Sequence, residues 1–108
     1  MFGKKEETKP DYEMFAIYDT KVDSYDMPLY GMNHHDITRE IMNHFSGQSR
    51  NENKYFRNAE DYQLFRIGSY TKKSGTLMTQ HPEHVANLHE LKSIALRSEQ
   101  GPGVVHST

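Results

Sequence analysis

One segment restricts the fold more than any other part of the chain. Residues 61–70 read DYQLFRIGSY, and large apolar or aromatic side chains cover both faces of this stretch if it is extended: Tyr62, Leu64, Phe65, Ile67 and Tyr70. A strand with two apolar faces belongs inside a sheet, so we predict an interior strand. Residues 72–75 have turn composition, and residues 76–80 then return as the second arm of a β-hairpin.

Two shorter segments near the N-terminus also have strand character. Residues 14–21 bring strand-favouring side chains to both faces, which indicates a second interior strand. Residues 27–32 are extended as well, but Pro28 and Gly31 suit an edge better than a centre, because proline lacks the N–H that a ladder needs. We expect these two strands to pair in antiparallel fashion.

A helix is predicted between the two pairs of strands. Asn33 can cap its N-terminus, and Asp36 in the first turn interacts favourably with the positive end of the helix dipole. One apolar stripe, at spacings of four, then faces the sheet through Ile37, Ile41 and Phe45. Gly47 is expected to end the helix as a C-terminal cap.

The rest of the chain supplies a polar loop and a second helix. Residues 46–59 are polar and lack a clear period, and a loop of this length is either functional or mobile. Residues 83–97 have apolar side chains at helical spacing: Val85, Leu88, Leu91, Ile94 and Ala95. The prediction is an α+β fold, with a small antiparallel sheet of about four strands in the order β-β-α-β-β, one packed helix and a C-terminal helix.

Length and composition indicate one domain with unstructured ends. The chain has 108 residues, of which only 34% are hydrophobic, so the core has to be small. We expect a domain at residues 13–97 between disordered tails at 1–12 and 98–108, because neither tail can bury enough apolar surface to offset its ordering entropy. The absence of cysteine excludes disulfides, and no apolar run is long enough to span a membrane.

No motif indicates catalysis or metal binding. The best histidine cluster comprises His81, His84 and His89, but its spacing matches no established zinc pattern and Pro82 interrupts any helical register there. Nucleophile–base pairs, paired carboxylates and glycine-rich phosphate loops do not occur at motif spacing. We therefore expect a non-enzymatic protein with no catalytic residue, no metal site and no cofactor.

The uneven distribution of charge leads to a nucleic-acid hypothesis. The net charge is −2, but residues 1–46 sum to −4, residues 47–75 to +3 and residues 76–108 to −1. Cations interleaved with aromatic rings are typical of single-stranded DNA binding, in which cations contact phosphates and rings stack on bases. The candidate DNA-binding residues lie in the stretch 50–73: Arg50, Lys54, Tyr55, Phe56, Arg57, Arg66, Tyr70, Lys72 and Lys73.

A protein–protein role is the rival interpretation. A sheet of four strands leaves edges unpaired and aromatic side chains partly uncovered, and association across a twofold axis would bury both. On this interpretation the chain forms a homodimer and acts through protein contacts. Short strands and edge lysines would instead protect a monomer, and scattered lysines on a hairpin turn are commonly a solvated edge.

Two ordered motifs resemble a known family of viral proteins. The first has the pattern F-x-I-Y-D-x-K-x-x-x-Y and is matched by Phe15, Ile17, Tyr18, Asp19, Lys21 and Tyr25. The second, E-D-Y-x-L-F-x-[IL]-G-x-[FY], is matched by Glu60, Asp61, Tyr62, Leu64, Phe65, Ile67, Gly68 and Tyr70. Their order and spacing are similar to those in the small nonstructural protein of gokushovirus-like microviruses, which are tailless single-stranded DNA phages. The resemblance covers residues 14–80 and leaves the segment 83–97 outside.

This resemblance implies a biological context and no mechanism. It implies a phage accessory protein in the cytoplasm of the host bacterium, where it would assist viral DNA replication, single-stranded genome synthesis or packaging. The partners that it implies are viral single-stranded DNA and the replication or procapsid proteins of the phage, without a membrane.

Overall fold

The strands pair into one antiparallel sheet. A computed structural model describes the backbone of residues 9–105 and the side chains of residues 9–99. In this part of the chain the strands are β1 (Tyr12–Asp19), β2 (Ser24–Tyr25), β3 (Leu29–Gly31), β4 (Tyr62–Thr71) and β5 (Thr76–Asn87). The α-helices are α1 (His34–His44), α2 (Lys54–Arg57) and α3 (Leu88–Val105). The predicted α+β class is confirmed.

The two strands with the strongest apolar pattern occupy the centre of the sheet. The strand order is β2-β1-β4-β5, and β3 also pairs with β1. Ile17 of β1 lies opposite Leu64 of β4, and Ala16 lies opposite Phe65. The interior strands predicted at 14–21 and 61–70 are therefore present, and the segment predicted at 27–32 contains β3, which pairs with β1 in antiparallel fashion.

The hydrophobic core lies between one face of the sheet and the helices. Phe15 and Leu64 are fully buried on adjacent central strands, and Phe45 and Leu88 are fully buried where α1 ends and α3 begins. The remaining core side chains are Ile17, Ile37, Phe56, Ala59, Tyr62, Leu91 and Ala95. Burial of each large apolar side chain stabilises the fold by about 1.5–3 kcal/mol, so these contacts hold all three helices to one face.

Capping sets the limits of α1. The Asn33 side chain accepts a hydrogen bond from the Asp36 N–H at 3.0 Å, and the Asp36 carboxylate accepts one from the Met32 N–H at 3.2 Å. The predicted N-terminus is therefore confirmed. The predicted cap at Gly47 is wrong, because Phe45 is held in the core and already ends the helix, with its N–H bonded to carbonyls of the last turn.

The polar segment 46–59 is a chain of short helices and not a structureless loop. A 3₁₀ turn at Gln48–Glu52 leads into α2, and a second 3₁₀ turn at Ala59–Asp61 leads into β4. The Asn53 side chain caps α2 by accepting a hydrogen bond from the Tyr55 N–H at 2.9 Å. Buried apolar side chains within the segment anchor it to the core, which explains how so polar a stretch is ordered.

The C-terminal helix is displaced from its predicted position. Residues 83–87 continue β5 instead of starting the helix, because Glu83 pairs with Arg66 and Ala86 pairs with Leu64 across the sheet. The helix then begins at Leu88 and continues past 97 to Val105, with Glu99 held by a side-chain ion pair to Arg50. Pro82, which lies between the predicted hairpin arm at 76–80 and the predicted helix at 83–97, is within this edge strand.

The predicted tails overlap ordered structure only in part. Residues 1–8 and 106–108 lie outside the described residues. At the N-terminal side, the Asp11 N–H donates a hydrogen bond to the Tyr70 carbonyl at 2.9 Å, and β1 begins at Tyr12. Within residues 9–105, no helix is long and apolar enough to cross a membrane.

Gly68 marks the closest approach of β4 and β5. A Cβ atom at this position would lie 2.4 Å from the Met78 carbonyl oxygen, which is far inside van der Waals contact. The pairing register shifts beside it, between Arg66 and Gly68. Glycine is therefore required at 68 by the spacing of the two strands and by the bulge that bends them.

We expect Leu64→Asp to unfold the domain. A buried unpaired carboxylate costs several kcal/mol, against a total stability of only about 5–10 kcal/mol. Circular dichroism during heating should show the loss of the cooperative transition. Leu77→Asp, at a half-exposed position of β5, is the matched control and should still melt cooperatively. A normal melt for Leu64→Asp would show that the core is not organised around β4.

Candidate functional site

The candidate DNA-binding residues fall into two groups at opposite ends of β4. The first group precedes the strand and comprises Arg50, Lys54, Tyr55, Phe56 and Arg57. The second group lies at the end of the strand and in the following hairpin turn and comprises Tyr70, Lys72 and Lys73. Arg66 lies between them on the strand. Ten residues of β-strand span roughly 30 Å. The structure therefore does not bring the nine residues together into one surface.

One ring of the first group, Phe56, belongs to the core, and the other, Tyr55, is partly buried against it. Phe56 is only 6% exposed, and its ring meets Phe45 edge-on at 5.4 Å between centroids. The Lys92 ammonium lies 4.2 Å from the Phe56 ring centroid and donates a hydrogen bond to the Phe56 carbonyl at 2.8 Å. The Tyr55 ring packs at 4.8 Å against Tyr62. These contacts occupy both rings with partners from the same chain.

Arg50 is engaged by a carboxylate from the other end of the chain. Its guanidinium donates to both oxygens of Glu99, at 2.7 and 2.6 Å, and lies 5.2 Å from the centroid of the Phe56 ring. A bidentate pair of this kind is stronger and more directional than an ordinary surface ion pair. In the described structure Arg50 joins the 3₁₀ turn to α3.

A tyrosine, a carboxylate and a lysine form a small network beside α2. The Tyr55 hydroxyl donates a hydrogen bond to the Asp26 carboxylate, which also lies 3.6 Å from the Lys54 ammonium. Burial raises the pKa of Tyr55 above its ordinary value of about 10, and the hydrogen bond and charge of Asp26 raise it further. Tyr55 is therefore a protonated donor at neutral pH, and Lys54 is compensated by an acidic neighbour.

The other two arginines are also hydrogen-bonded or paired. The Arg66 guanidinium lies 3.5 Å from the Glu13 carboxylate and 3.4 Å from the Glu83 carboxylate, between the two strands that flank β4. Arg57 is exposed and donates to the Asn51 carbonyl at 3.2 Å. Arg66 therefore joins three strands, while Arg57 is exposed and makes no ion pair among the described residues.

The hairpin end combines aromatic rings with exposed lysines. The Tyr12 and Tyr70 rings lie nearly parallel, 6.4 Å apart between centroids, and the Lys72 ammonium lies 5.8 Å from the Tyr12 ring. Lys73 is exposed in the turn, and Asp11 accepts a hydrogen bond from the Lys72 N–H at 2.6 Å. A cleft of about 380 Å³ opens here, lined by Tyr12, Tyr30, Tyr70, Gly75 and Leu77.

This cleft is part of a larger surface, which we call the open face. Side chains that lie directly opposite each other in a sheet share a face, and alternate residues of one strand do so too. The pairings of β1 with its neighbours therefore place one set of side chains on the face opposite the helices. The open face comprises Tyr12, Met14, Ala16, Tyr18, Tyr25, Tyr30, Gln63, Phe65, Tyr70, Leu77, Thr79, His84 and Asn87, with Gly68 opposite Met14.

Aromatic rings in edge-on contact form the middle of the open face. The Phe65 ring lies 6.0 Å from Tyr18, 5.7 Å from Tyr25 and 5.5 Å from His84, with interplanar angles of 81°, 78° and 85°. Tyr25 and Tyr30 are about half exposed. Such contacts contribute about 0.5–1.5 kcal/mol each beyond area burial, so the cluster is ordered before any partner arrives.

Sequence reasoning identified Tyr70 as a functional candidate but missed most of the open face. It placed apolar groups on both faces of β1 and β4, which was correct, and expected partly uncovered aromatic side chains without identifying which ones share a face. The composition of β1 could have indicated it. One face of the strand carries Phe15 and Ile17, and the alternating residues on the other face include two tyrosines: Tyr12, Met14, Ala16 and Tyr18. Tyrosine is typical of protein interfaces, because its ring is apolar and its hydroxyl can still hydrogen-bond to water or to a partner.

One histidine of the predicted cluster, His84, contacts neighbouring side chains in the sheet. The His84 ring packs on Phe65, and its Nε2 lies 2.9 Å from the Asn87 side-chain oxygen. Among the described side chains, those of residues 9–99, no three His, Asp or Glu groups converge in a way that could hold an ion.

One comparison with known proteins gives a match. A family model described as "Phage ORF5 protein" matches residues 12–91, which covers the whole sheet, α1, α2 and the start of α3. No curated protein and no solved structure matches the chain.

We expect Tyr55→Phe to change the pH dependence of stability. Because the folded state holds the Tyr55 proton to a higher pH than the unfolded chain, this group stabilises the fold fully below about pH 10 and less as the pH rises further. The parent should therefore lose stability above pH 10 more steeply than Tyr55→Phe does. Urea unfolding at neutral pH and at several alkaline pH values measures both curves.

The matched control is Tyr30→Phe, which removes a hydroxyl from a half-exposed ring. It should follow the parent curve at alkaline pH. If Tyr55→Phe and Tyr30→Phe behave alike, the hydrogen bond to Asp26 does not contribute to the fold.

Proposed function

Because this chain belongs to the Phage ORF5 protein family, it is a phage protein, and we propose that it acts as a non-enzymatic accessory protein through protein–protein contacts. The two motifs that resemble gokushovirus-like microviruses support the finer assignment to a tailless single-stranded DNA phage. In that setting the protein works in the host bacterial cytoplasm, in viral DNA replication, genome synthesis or packaging. Its partners are a second copy of itself and replication or procapsid proteins of the phage.

The composition of the open face carries this proposal. The thirteen side chains that define it include six aromatic rings of Tyr and Phe, one Met, one Leu and three neutral polar groups, and no Lys, Arg, Asp or Glu. The centres of protein interfaces are enriched in Tyr, Phe and Met and depleted in charged residues. A surface that held a nucleic-acid backbone would instead need cations near its centre. The open face therefore favours a protein partner over a phosphate chain.

The size of the open face agrees with a twofold dimer. Four strands about 4.8 Å apart and about 26 Å long present roughly 500 Å² of flat surface, so two copies would bury about 1,000 Å². Specific interfaces begin near that total. A twofold axis lets the same patch serve both partners, and the side chains that define the face bring no formal charge into the interface, with Lys72 at its hairpin margin.

We expect the protein to be a dimer in solution. Light scattering at high micromolar concentration should give a mass near twice 12.6 kDa. Tyr30→Asp should return the mass to that of the monomer, because it places a carboxylate within the neutral interface, where desolvation of an unpaired charge costs several kcal/mol.

The matched control is Val22→Asp, which adds the same charge at an exposed position of the β1–β2 turn, off the open face. It should remain dimeric. A monomer mass for the parent at high micromolar concentration would end the proposal of self-association, as would equal effects of the two substitutions.

Single-stranded DNA binding is the second candidate function, and the hairpin end favours it. The cleft there combines the Tyr12 and Tyr70 rings with the Lys72 ammonium, a combination suited to one stacked base and its phosphate. Lys73 adds a second exposed cation in the same turn. By contrast, Lys54 is compensated by Asp26 at the other end of the strand.

The two groups of cations give a direct test of this candidate. A fluorescent oligothymidylate titrated at several salt concentrations measures the slope of log affinity against log salt. Neutralising Lys72 and Lys73 together should flatten this slope by about 1.4, since each phosphate contact on a single strand contributes about 0.7. The matched double variant, Lys54→Gln with Arg57→Gln, should leave the slope unchanged. A parent without salt-dependent binding would remove the candidate.

A further inference from the structure

A second opening lies on the other side of the sheet, between α1 and the segment that joins β2 to β3. This groove has a volume of about 410 Å³. Its floor consists of Ile17, Ile37 and Phe45, which are all core residues with less than 5% exposure. These floor side chains are almost fully covered, so a bound group would contact mainly the side chains of the groove walls.

The mouth of the groove adds exposed apolar side chains. Met27 and Leu29 line one wall, and Met27 is 77% exposed. Ile41 of α1 lines the opposite wall and is only partly buried. Methionine adapts its shape to a bound side chain because it is unbranched and polarizable. The groove therefore has a rigid floor and one adaptable wall.

Charge at the rim of the groove is acidic. The residues that line it include the carboxylates of Asp26 and Glu40 and the imidazole of His44, and no lysine or arginine. Lys54 contacts Asp26 at 3.6 Å, whereas Glu40 makes no ion pair among the described residues. An apolar cavity with uncompensated negative charge at its rim selects for a ligand that is apolar in the middle and cationic at its ends.

We propose that this groove binds a short segment of another protein in which apolar side chains are flanked by lysine or arginine. The apolar side chains enter between α1 and Met27, and a flanking cation reaches Glu40, the rim carboxylate that makes no ion pair among the described residues. The inference rests on the proposed role in protein–protein contacts for the existence of such a partner. It does not depend on self-association, because Met27 and Glu40 of the groove lie outside the open face, and only Tyr30 borders both sites.

Peptide binding tests the proposal directly. The probe is a labelled peptide Lys-Lys-Leu-Leu-Lys-Lys, titrated into the full-length protein and followed by fluorescence anisotropy. It should bind about tenfold or more tightly than Glu-Glu-Leu-Leu-Glu-Glu and than Lys-Lys-Ser-Ser-Lys-Lys, since the first control reverses the charge and the second removes the apolar groups. Equal binding of the three peptides would overturn the proposal.

Two pairs of variants locate the site. Glu40→Lys should weaken binding about fivefold, because it replaces an attraction by a repulsion, whereas Glu52→Lys makes the same change at an exposed position outside the groove and should have no effect. Met27→Ser should also weaken binding, and Met32→Ser, at 61% exposure off the groove lining, should not. Equal effects within either pair would place the peptide elsewhere.

Other occupants of the groove give different results, and each would overturn the proposal. If a second copy filled the groove, Met27→Ser would lower the mass measured by light scattering. If the first segment of this chain filled it, removal of residues 1–8 would tighten peptide binding many-fold.

The two proposals can fail separately, because the mass and the peptide affinity are separate measurements. A monomeric parent that still binds the peptide would reject the proposed self-association alone.

Discussion

The two central strands carry large side chains on both faces, whereas the helices of the described structure cover only one of those faces. Phe15, Ile17 and Leu64 point to the covered side, and each helix is attached there by its own buried side chains. Removal of these contacts would detach α1, α2 and α3 together, because the helices share one small core. The same strands leave a face without helical cover, and the surface with which we associate function follows from that asymmetry.

Opposite charges that are distant in sequence hold the periphery of the molecule together. The basic middle of the chain meets the acidic first third at Lys54 with Asp26 and at Arg66 with Glu13. The pair of Arg50 with Glu99 joins the same middle segment to α3. The basic and acidic segments of the sequence are thus largely paired with each other in the folded chain. Surface pairs of this kind add little stability each, but they direct segments of opposite charge toward one another.

Patterns that are local in sequence were predictable, and pairings over long distance were not. The Asn33 cap and the alternating side chains of β4 depend on near neighbours, so both were recognised. The length of β5 depends on its register with β4, and Pro82 concealed it because proline commonly ends an element. The partners of the candidate cations were equally hidden: Arg50 and Glu99 are separated by 49 positions, and no local rule connects them.

The crowding at Gly68 has a consequence for the geometry of the open face. The two arms of the hairpin approach each other there only because one methyl group is missing, and the oxygen of Met78 occupies its place. Any larger residue at 68 would push β4 and β5 apart. Because Tyr70 and Leu77 pair two positions further along the same hairpin, the distance between them would increase as well. The curvature of the surface that meets a partner is therefore controlled by a residue that contributes no side chain to it. The spacing between the two backbones, and not any side-chain contact, therefore determines which residues position 68 tolerates.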